Sequence, residues 1–289
     1  MNRAKSGPGY FIMLLILTAI CLSMVYPFIN LFFISISELS EVMKSKGLLL
    51  YPKSPTLFAY RYLVKYPYLG VSYTNTVFIT IVGTVLALIM STLGANVLAR
   101  RDLPGRNILT TFVIITMFIG GGLIPTYLNM RDFKLLNTLW VLILPAMIST
   151  WNMLLLRNFI MSIPVELTEA CRIDGCGELR ILVQIIIPLS LPILATLALF
   201  YGVGRWNEYS SVIIYNSKQT LQTIQVIIRR MYITSLADST ELGDKLADLP
   251  PLETIRAATV IFTTLPILCV YPFLQKYFAQ GIMVGSLKG

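Results

Sequence analysis

Six stretches of the chain carry no Asp, Glu, Lys or Arg and are long enough to cross a lipid bilayer: Ser6 to Ser37, Tyr66 to Ala99, Asn107 to Met130, Leu135 to Leu156, Ile181 to Gly204 and Ala257 to Gln275. Hydrocarbon leaves no water for backbone amides, so a crossing segment must satisfy them internally, which takes about 20 apolar residues as a helix. No other uncharged run exceeds about ten residues. The pattern predicts an all-α polytopic membrane protein with six transmembrane helices and both ends on one side. Composition agrees: of 289 residues 56% are hydrophobic and 13% charged, against about 25% charged in soluble domains. The first stretch follows Arg3 and Lys5 as a signal peptide would, but its apolar core from Tyr10 to Ile34 is too long for one and lacks an A-x-A site. It is expected to remain as a span.

The chain has no histidine. That excludes imidazole-based triads, the HExxH zinc site and His-liganded iron. An intramembrane enzyme would need paired aspartates or a metal cluster in place of these, and a secondary transporter would need ionisable relay groups inside its spans. The charge-free runs supply neither. The net charge of +9 is spread between apolar runs and suits lipid headgroups and a protein partner rather than nucleic acid. Cys21, Cys171, Cys176 and Cys269 form no CxxC pair and read as reduced, structural thiols. No G-x-x-x-x-G-K-[ST] phosphate loop occurs, so no nucleotide cofactor is expected on this chain.

The connections divide the chain. Residues 1–65 are expected to form an N-terminal span and the first loop, 66–276 a transmembrane core containing a distinctive loop at 157–187, and 277–289 a C-terminal tail. The loop runs from Arg157 toward Pro192 and carries helix start and stop signals: Ser162 as an N-cap, Pro164 in the first turn, Glu166 and Glu169 near the positive dipole end, and Gly175 just past the end. A second helix is expected to start near Gly177. Val165, Leu167, Ala170, Cys171 and Ile173 are the apolar members of the first helix, and the small Ala170 and Cys171 would let its backbone approach another surface closely. Glu169 and Asp174 are left to cap or to pair with a cationic groove. Such a helix is suited to docking.

Glu169-Ala170-Cys171, Gly175, nine further residues and then Ile185-Ile186-Ile187-Pro188 resemble the EAA loop of ABC importer permeases, E-A-A-x-x-x-G followed by nine residues and I-x-L-P. Cys171 stands where a second Ala is usual and Ile187 where Leu is usual. Gly120-Gly121-Gly122-Leu123-Ile124-Pro125, Leu135-Leu136-Asn137-Thr138 and the ending Leu274 to Met283 are similar to carbohydrate permeases related to the smaller membrane subunit of the maltose importer. The loop containing Leu221-Gln222-Thr223-Ile224 is similar to those for complex or acidic oligosaccharides.

This resemblance implies a type I ABC importer permease fold in a bacterial inner membrane, with cytoplasmic N and C termini. It implies a second homologous permease, an ATPase dimer that carries ATP and magnesium, an external solute-binding protein and an oligosaccharide substrate. Coupling to the ATPase would rest on Glu169, Ala170, Cys171, Asp174, Gly175 and Pro188, and Gln280 and Gly281 would lie in an ATPase-contacting tail. A permease for a non-sugar solute is the alternative.

Other residues admit two readings. Tyr201, Trp206, Asn207 and Glu208 either line a substrate path or form an interfacial belt, and Arg205 and Glu208, three apart, either pair or do not. The three glycines with Pro125 break the third span, by close packing or as a gate. Asn75, Asn96 and Asn152 suit interhelical hydrogen bonds. Asp238, Glu241, Asp244 and Asp248 read as a solvated acidic face or, outside the membrane, as a contact for a substrate-binding protein.

Overall fold

The computed structural model describes residues 8–45, 49, 51–241 and 252–286. The helices, in chain order, are α1 Pro8–Ser35, α2 Leu39–Lys44, α3 Phe58–Lys65, α4 Leu69–Ala99, α5 Arg106–Phe118, α6 Leu123–Asp132, α7 Thr150–Ile160, α8 Val165–Ile173, α9 Glu178–Ile181, α10 Ile187–Leu189, α11 Leu191–Trp206, α12 Ser210–Tyr215, α13 Ile224–Glu241 and α14 Leu252–Ser286. The C-terminal tail, including Gln280 and Gly281, continues α14 as helix. Asp238 and Glu241 end α13, while Asp244 and Asp248 lie outside the described residues.

The chain divides into two units. One comprises Met1–Leu69 with Ile228–Pro266. In it α1 is apolar on every face and none of the residues in its most apolar 18-residue window is buried, the signature of a helix solvated by lipid or a membrane partner. Its end is fixed by polar side chains: Asn30 Oδ1 accepts the Leu49 amide at 2.8 Å, and Ser35 Oγ lies 2.8 Å from the Tyr60 hydroxyl. Ile34, Val42, Leu49 and Ala257 form the small apolar core beneath.

The other unit comprises Gly70–Ile227 with Ile267–Gly289. Its core joins Ala87, Ala95 and Leu98 of α4 to Met153, Leu156 and Ile160 of α7, Ile181, Leu182 and Ile186 around α9, and Leu197 and Tyr201 of α11. A second cluster joins Ile79 to Val141, Leu142, Ile143, Val212 and Val226. Small residues allow the approach. A Cβ at Gly94 would stand 2.6 Å from Met153 Sδ, closer than side chains tolerate.

Three helical segments among the described residues are long and apolar enough to cross a membrane: Gly9–Ser35, Leu69–Ala99 and Glu253–Val270. Two bent pairs raise the number to five if each is one span. The third charge-free stretch breaks into α5 and α6 at 107°, where Gly122 takes φ 83 and ψ 171, a conformation that essentially only glycine adopts. The fifth bends by 81° before Leu191. There Leu182–Ile186 form a π-helical turn ahead of Pro188, which cannot donate to a regular helical ladder.

The fourth stretch departs from the expected continuous helix. Residues from Leu135 to Ser149 run through turns and one 3-10 turn at Trp140–Leu142, and only then does the 11-residue α7 begin. Lys134 and Asn137 hold left-handed backbone, with φ 56 and 57, and the Ser149 hydroxyl accepts the Asn152 amide to start α7. Absence of charge measures compatibility with lipid. It does not by itself enforce a helix.

The α8 cap and its surroundings

No residue of α8 is buried. Glu169 and Ala170 are exposed, and Ile173 keeps 86% of its surface open. Leu179, just beyond on α9, keeps 74%. A nine-residue helix with apolar residues facing outward is stable only if its ends are well held. The N-cap is Pro164, with no capping side chain, and the Ser162 hydroxyl instead donates to Phe159 O at 2.7 Å, so the expected Ser162 cap is not formed.

The C-terminal end is strongly built. Gly175 has φ +81. Its amide donates to Arg172 O at 3.0 Å, the Cys176 amide reaches back to Cys171 O at 2.9 Å, and the Asp174 amide donates to Ala170 O at 3.0 Å. The two bonds from Gly175 and Cys176 form the Schellman arrangement, in which a left-handed residue turns the chain and its successor closes over the last helical turn. In such turns the two flanking positions normally make an apolar contact, and here both are cysteines. Cys171 and Cys176 are joined as a disulfide with Cα atoms 5.4 Å apart, which corrects the expectation that all four cysteines are reduced. Five residues of separation gave no sign of proximity until the turn at Gly175 folded the chain back. Cys21 and Cys269 are free.

An ionic chain ties this cap to the end of α4. Arg100 contacts Asp102 at 2.7 Å and Glu178 at 3.2 Å, and Glu178 also holds Arg172 of α8 at 3.2 Å. Between them lies a cleft of about 360 Å³ lined by Asn96, Arg101, Met161, Thr168 and Glu169. These groups are substantially exposed, so the chain orients α8 more than it stabilises the fold. The hydrogen bond from Arg100 pulls the Asp102 carboxyl down to about 2 from its ordinary 3.8. A depressed carboxylate contributes fully above its unfolded value and loses that contribution as pH falls through the folded one. Because the pair is exposed and screened by solvent, Asp102→Asn is expected to melt only marginally below the parent in detergent at pH 5 to 8 and to converge with it as pH falls to about 2. A pH series of melting curves checks this.

The second candidate cluster lies at the end of α11. The hydroxyl of Tyr201, buried to 6% exposure, lies 2.7 Å from Ser91 Oγ and accepts the Ser149 amide at 3.1 Å. It thereby ties α4, α11 and the start of α7 together. Trp206 is buried with its ring edge-on to Tyr73 at 5.8 Å. Asn207 is exposed, donates to Val203 O at 3.0 Å and accepts from Gln225 at 3.3 Å. Glu208 accepts the Ser211 amide at 3.0 Å and so starts α12. Tyr201→Phe leaves the buried Ser91 hydroxyl and the part-buried Ser149 amide without this partner, a loss of about 1–3 kcal/mol. It should appear as a lower melting temperature with the helix content unchanged.

Arg205 does not pair with Glu208. Its guanidinium, 6% exposed, donates to Leu142 O at 3.1 Å and Ala146 O at 2.9 Å, with Ile143 O at 3.5 Å. These are carbonyls of the irregular fourth stretch. Gly83 makes the room: a Cβ there would lie 2.6 Å from Arg205 Nε. Asn75 likewise serves backbone, donating to Thr220 O at 2.9 Å and Gln222 O at 3.1 Å.

A family model described as the binding-protein-dependent transport system inner membrane component matches residues 8–284. The chain belongs to this family. It is thus a permease subunit of a sugar-importing ABC system, a multi-pass inner-membrane protein whose own role is transport rather than catalysis. The permease is 41% identical over 279 residues to the polygalacturonan/rhamnogalacturonan transport system permease protein YtcP of Bacillus subtilis (strain 168), covering 96% of each chain. It is 38% identical to protein LplC of the same organism, over 100% of this chain and 98% of that one. Among solved structures it matches a chain of a bacterial ABC transporter involved in the import of the acidic polysaccharide alginate. The TM-score there is 0.84 at 30% identity, covering 96% of this chain and 99% of the other.

Two features of the permease escaped sequence reasoning. The cysteine pair could be found only by recognising Gly175 as a left-handed turn. The Arg205 bonds had a weaker signal: a cation immediately after a charge-free run, which must find acceptors if the helix is buried.

Proposed function

We propose that this permease carries acidic oligosaccharides of the pectin type and is driven by an ATPase that docks on α8. Support for the substrate class is the high identity, along nearly the whole chain, to a relative whose name specifies polygalacturonan and rhamnogalacturonan. Support for docking is the geometry of α8: a short helix with no buried residue, exposed apolar side chains and a rigid C-terminal cap. Glu169, Ala170, Cys171, Asp174 and Gly175 belong to that helix and its cap, and Pro188 sits at the bend through which its motion reaches α11. A docked helix held this firmly acts as a lever, so closure of two ATPase subunits on ATP and magnesium shifts the spans between two states.

In this reading the chain makes six crossings with a type I importer fold, the fourth through the turns before α7. The termini and α8 are cytoplasmic, and Gln280 and Gly281 extend toward the ATPases. A second homologous permease completes the pathway, and an external solute-binding protein delivers the sugar. Asn207 and Glu208 border the path, with Tyr201 and Trp206 shaping it from behind.

The test is reconstitution of the four kinds of subunit in liposomes. ATP-dependent uptake of oligogalacturonides that exceeds uptake of neutral oligosaccharides of equal length supports the proposal. Equal uptake of both, or preference for the neutral sugar, contradicts it.

A further inference from the structure

We propose that Cys171 and Cys176 are a reversible redox site that sets the stiffness of the joint between α8 and α9. The backbone brings the sulfurs together: the Schellman hydrogen bonds from Gly175 and Cys176 hold the two Cα atoms 5.4 Å apart, inside the range of about 4.4–6.8 Å that a disulfide requires. Those bonds do not depend on the oxidation state, so the thiols of the reduced protein are already poised to close. Both cysteines are half-buried and pack against the cluster containing Ile181 and Leu156. A small oxidant can therefore reach them, while the core limits their escape.

The reaction is a two-electron exchange. Two thiols lose two protons and two electrons to form the S–S bond. Hydrogen peroxide accepts them and leaves as two waters, or a low-molecular-weight disulfide accepts them and leaves as two thiols. A dithiol reductant runs the exchange backward. The cytoplasmic placement proposed for α8 puts the pair where disulfides are normally reduced, which makes this bond conditional rather than permanent.

The consequence is mechanical. When oxidised, a covalent ring spans Gly175 and α8 cannot swing on α9. When reduced, the joint is held by backbone hydrogen bonds alone and yields under load. This step rests on α8 being the ATPase-docking element. Oxidation is expected to raise the sugar moved per ATP hydrolysed about fivefold, the lower end of coupling between distinct sites.

The experiment has two arms. In membranes carrying a Cys21→Ser/Cys269→Ser chain without the ATPase, a maleimide-polyethylene glycol reagent should add twice after reduction, not at all after peroxide, and twice again after dithiothreitol. Persistent double labelling after peroxide, or chain-to-chain dimers instead of internal closure, overturns the redox site. In the full importer, sugar-to-ATP ratios are compared between oxidised and reduced forms, with Cys171→Ala as the control that should not respond. Closure without a change in ratio overturns the mechanical role. The first arm involves no ATPase, so a docking failure would contradict the role of α8 and leave the closure result standing.

Discussion

A Gly175→Val permease should insert and keep its fold outside the α8 cap yet lose at least about tenfold of its ATP-driven uptake, because φ near +81 costs an L-residue about 1–2 kcal/mol and a β-branched one more. Space is not the obstacle, since a Cβ at Gly175 would meet nothing within 4 Å. The penalty falls on the turn itself: relieving it requires the Gly175 and Cys176 amides to release Arg172 O and Cys171 O, which unwinds the end of α8. Asn tolerates the left-handed region better than other residues, so Gly175→Asn should retain most uptake, with Gly175→Ala between the two. Radiolabelled-sugar uptake normalised to membrane-inserted protein gives the ranking. Equal activity across the series would mean that the cap has no part in coupling.

The second large effect concerns Arg205. Arg205→Leu should sharply reduce recovery of folded protein from detergent, because it strands the buried carbonyl of Leu142 and removes the partner of the part-buried carbonyl of Ala146. Each costs about 1–3 kcal/mol when left unpaired, against a total stability of about 5–15 kcal/mol. Arg205→Lys keeps the charge but replaces a planar fork by a single ammonium, and should fold with a clearly lowered melting point. Gly83→Leu should reproduce the severe phenotype from the opposite side, since its side chain would occupy the guanidinium's place. Size-exclusion profiles and melting curves of the three variants distinguish these outcomes. A well-folded Arg205→Leu protein would show that the irregular stretch finds its acceptors and donors elsewhere.

The parts of this protein legible in its sequence are those governed by local rules. The break at Gly122 and the stop of α8 at Gly175 follow from glycine's backbone freedom, and the structure has both there with positive φ; α9 restarts at Glu178, just after Gly177 as expected. The fourth stretch was not legible. Its lack of charge is what a lipid-crossing helix requires, but the same property suits an irregular segment whose carbonyls are satisfied by Arg205, about sixty residues away. Cys171 and Cys176 failed for a related reason, because their pairing depends on a turn geometry rather than on spacing. At the end of α11 the aromatic and polar types left a substrate path and an interfacial belt equally open. That Tyr201 bonds Ser91 and Trp206 packs edge-on to Tyr73 was not legible, because a tyrosine bonded to a serine and one stacked on a sugar look alike in sequence.

The most direct test of the account is a photo-crosslinking amino acid placed at Ala170 in the native membrane, with the cognate ATPase coexpressed. An adduct with the ATPase subunit is expected, with no reaction at that position with a membrane-impermeant label applied from outside the cell. Labelling from the outside, or an adduct pattern that lacks the ATPase, would contradict it.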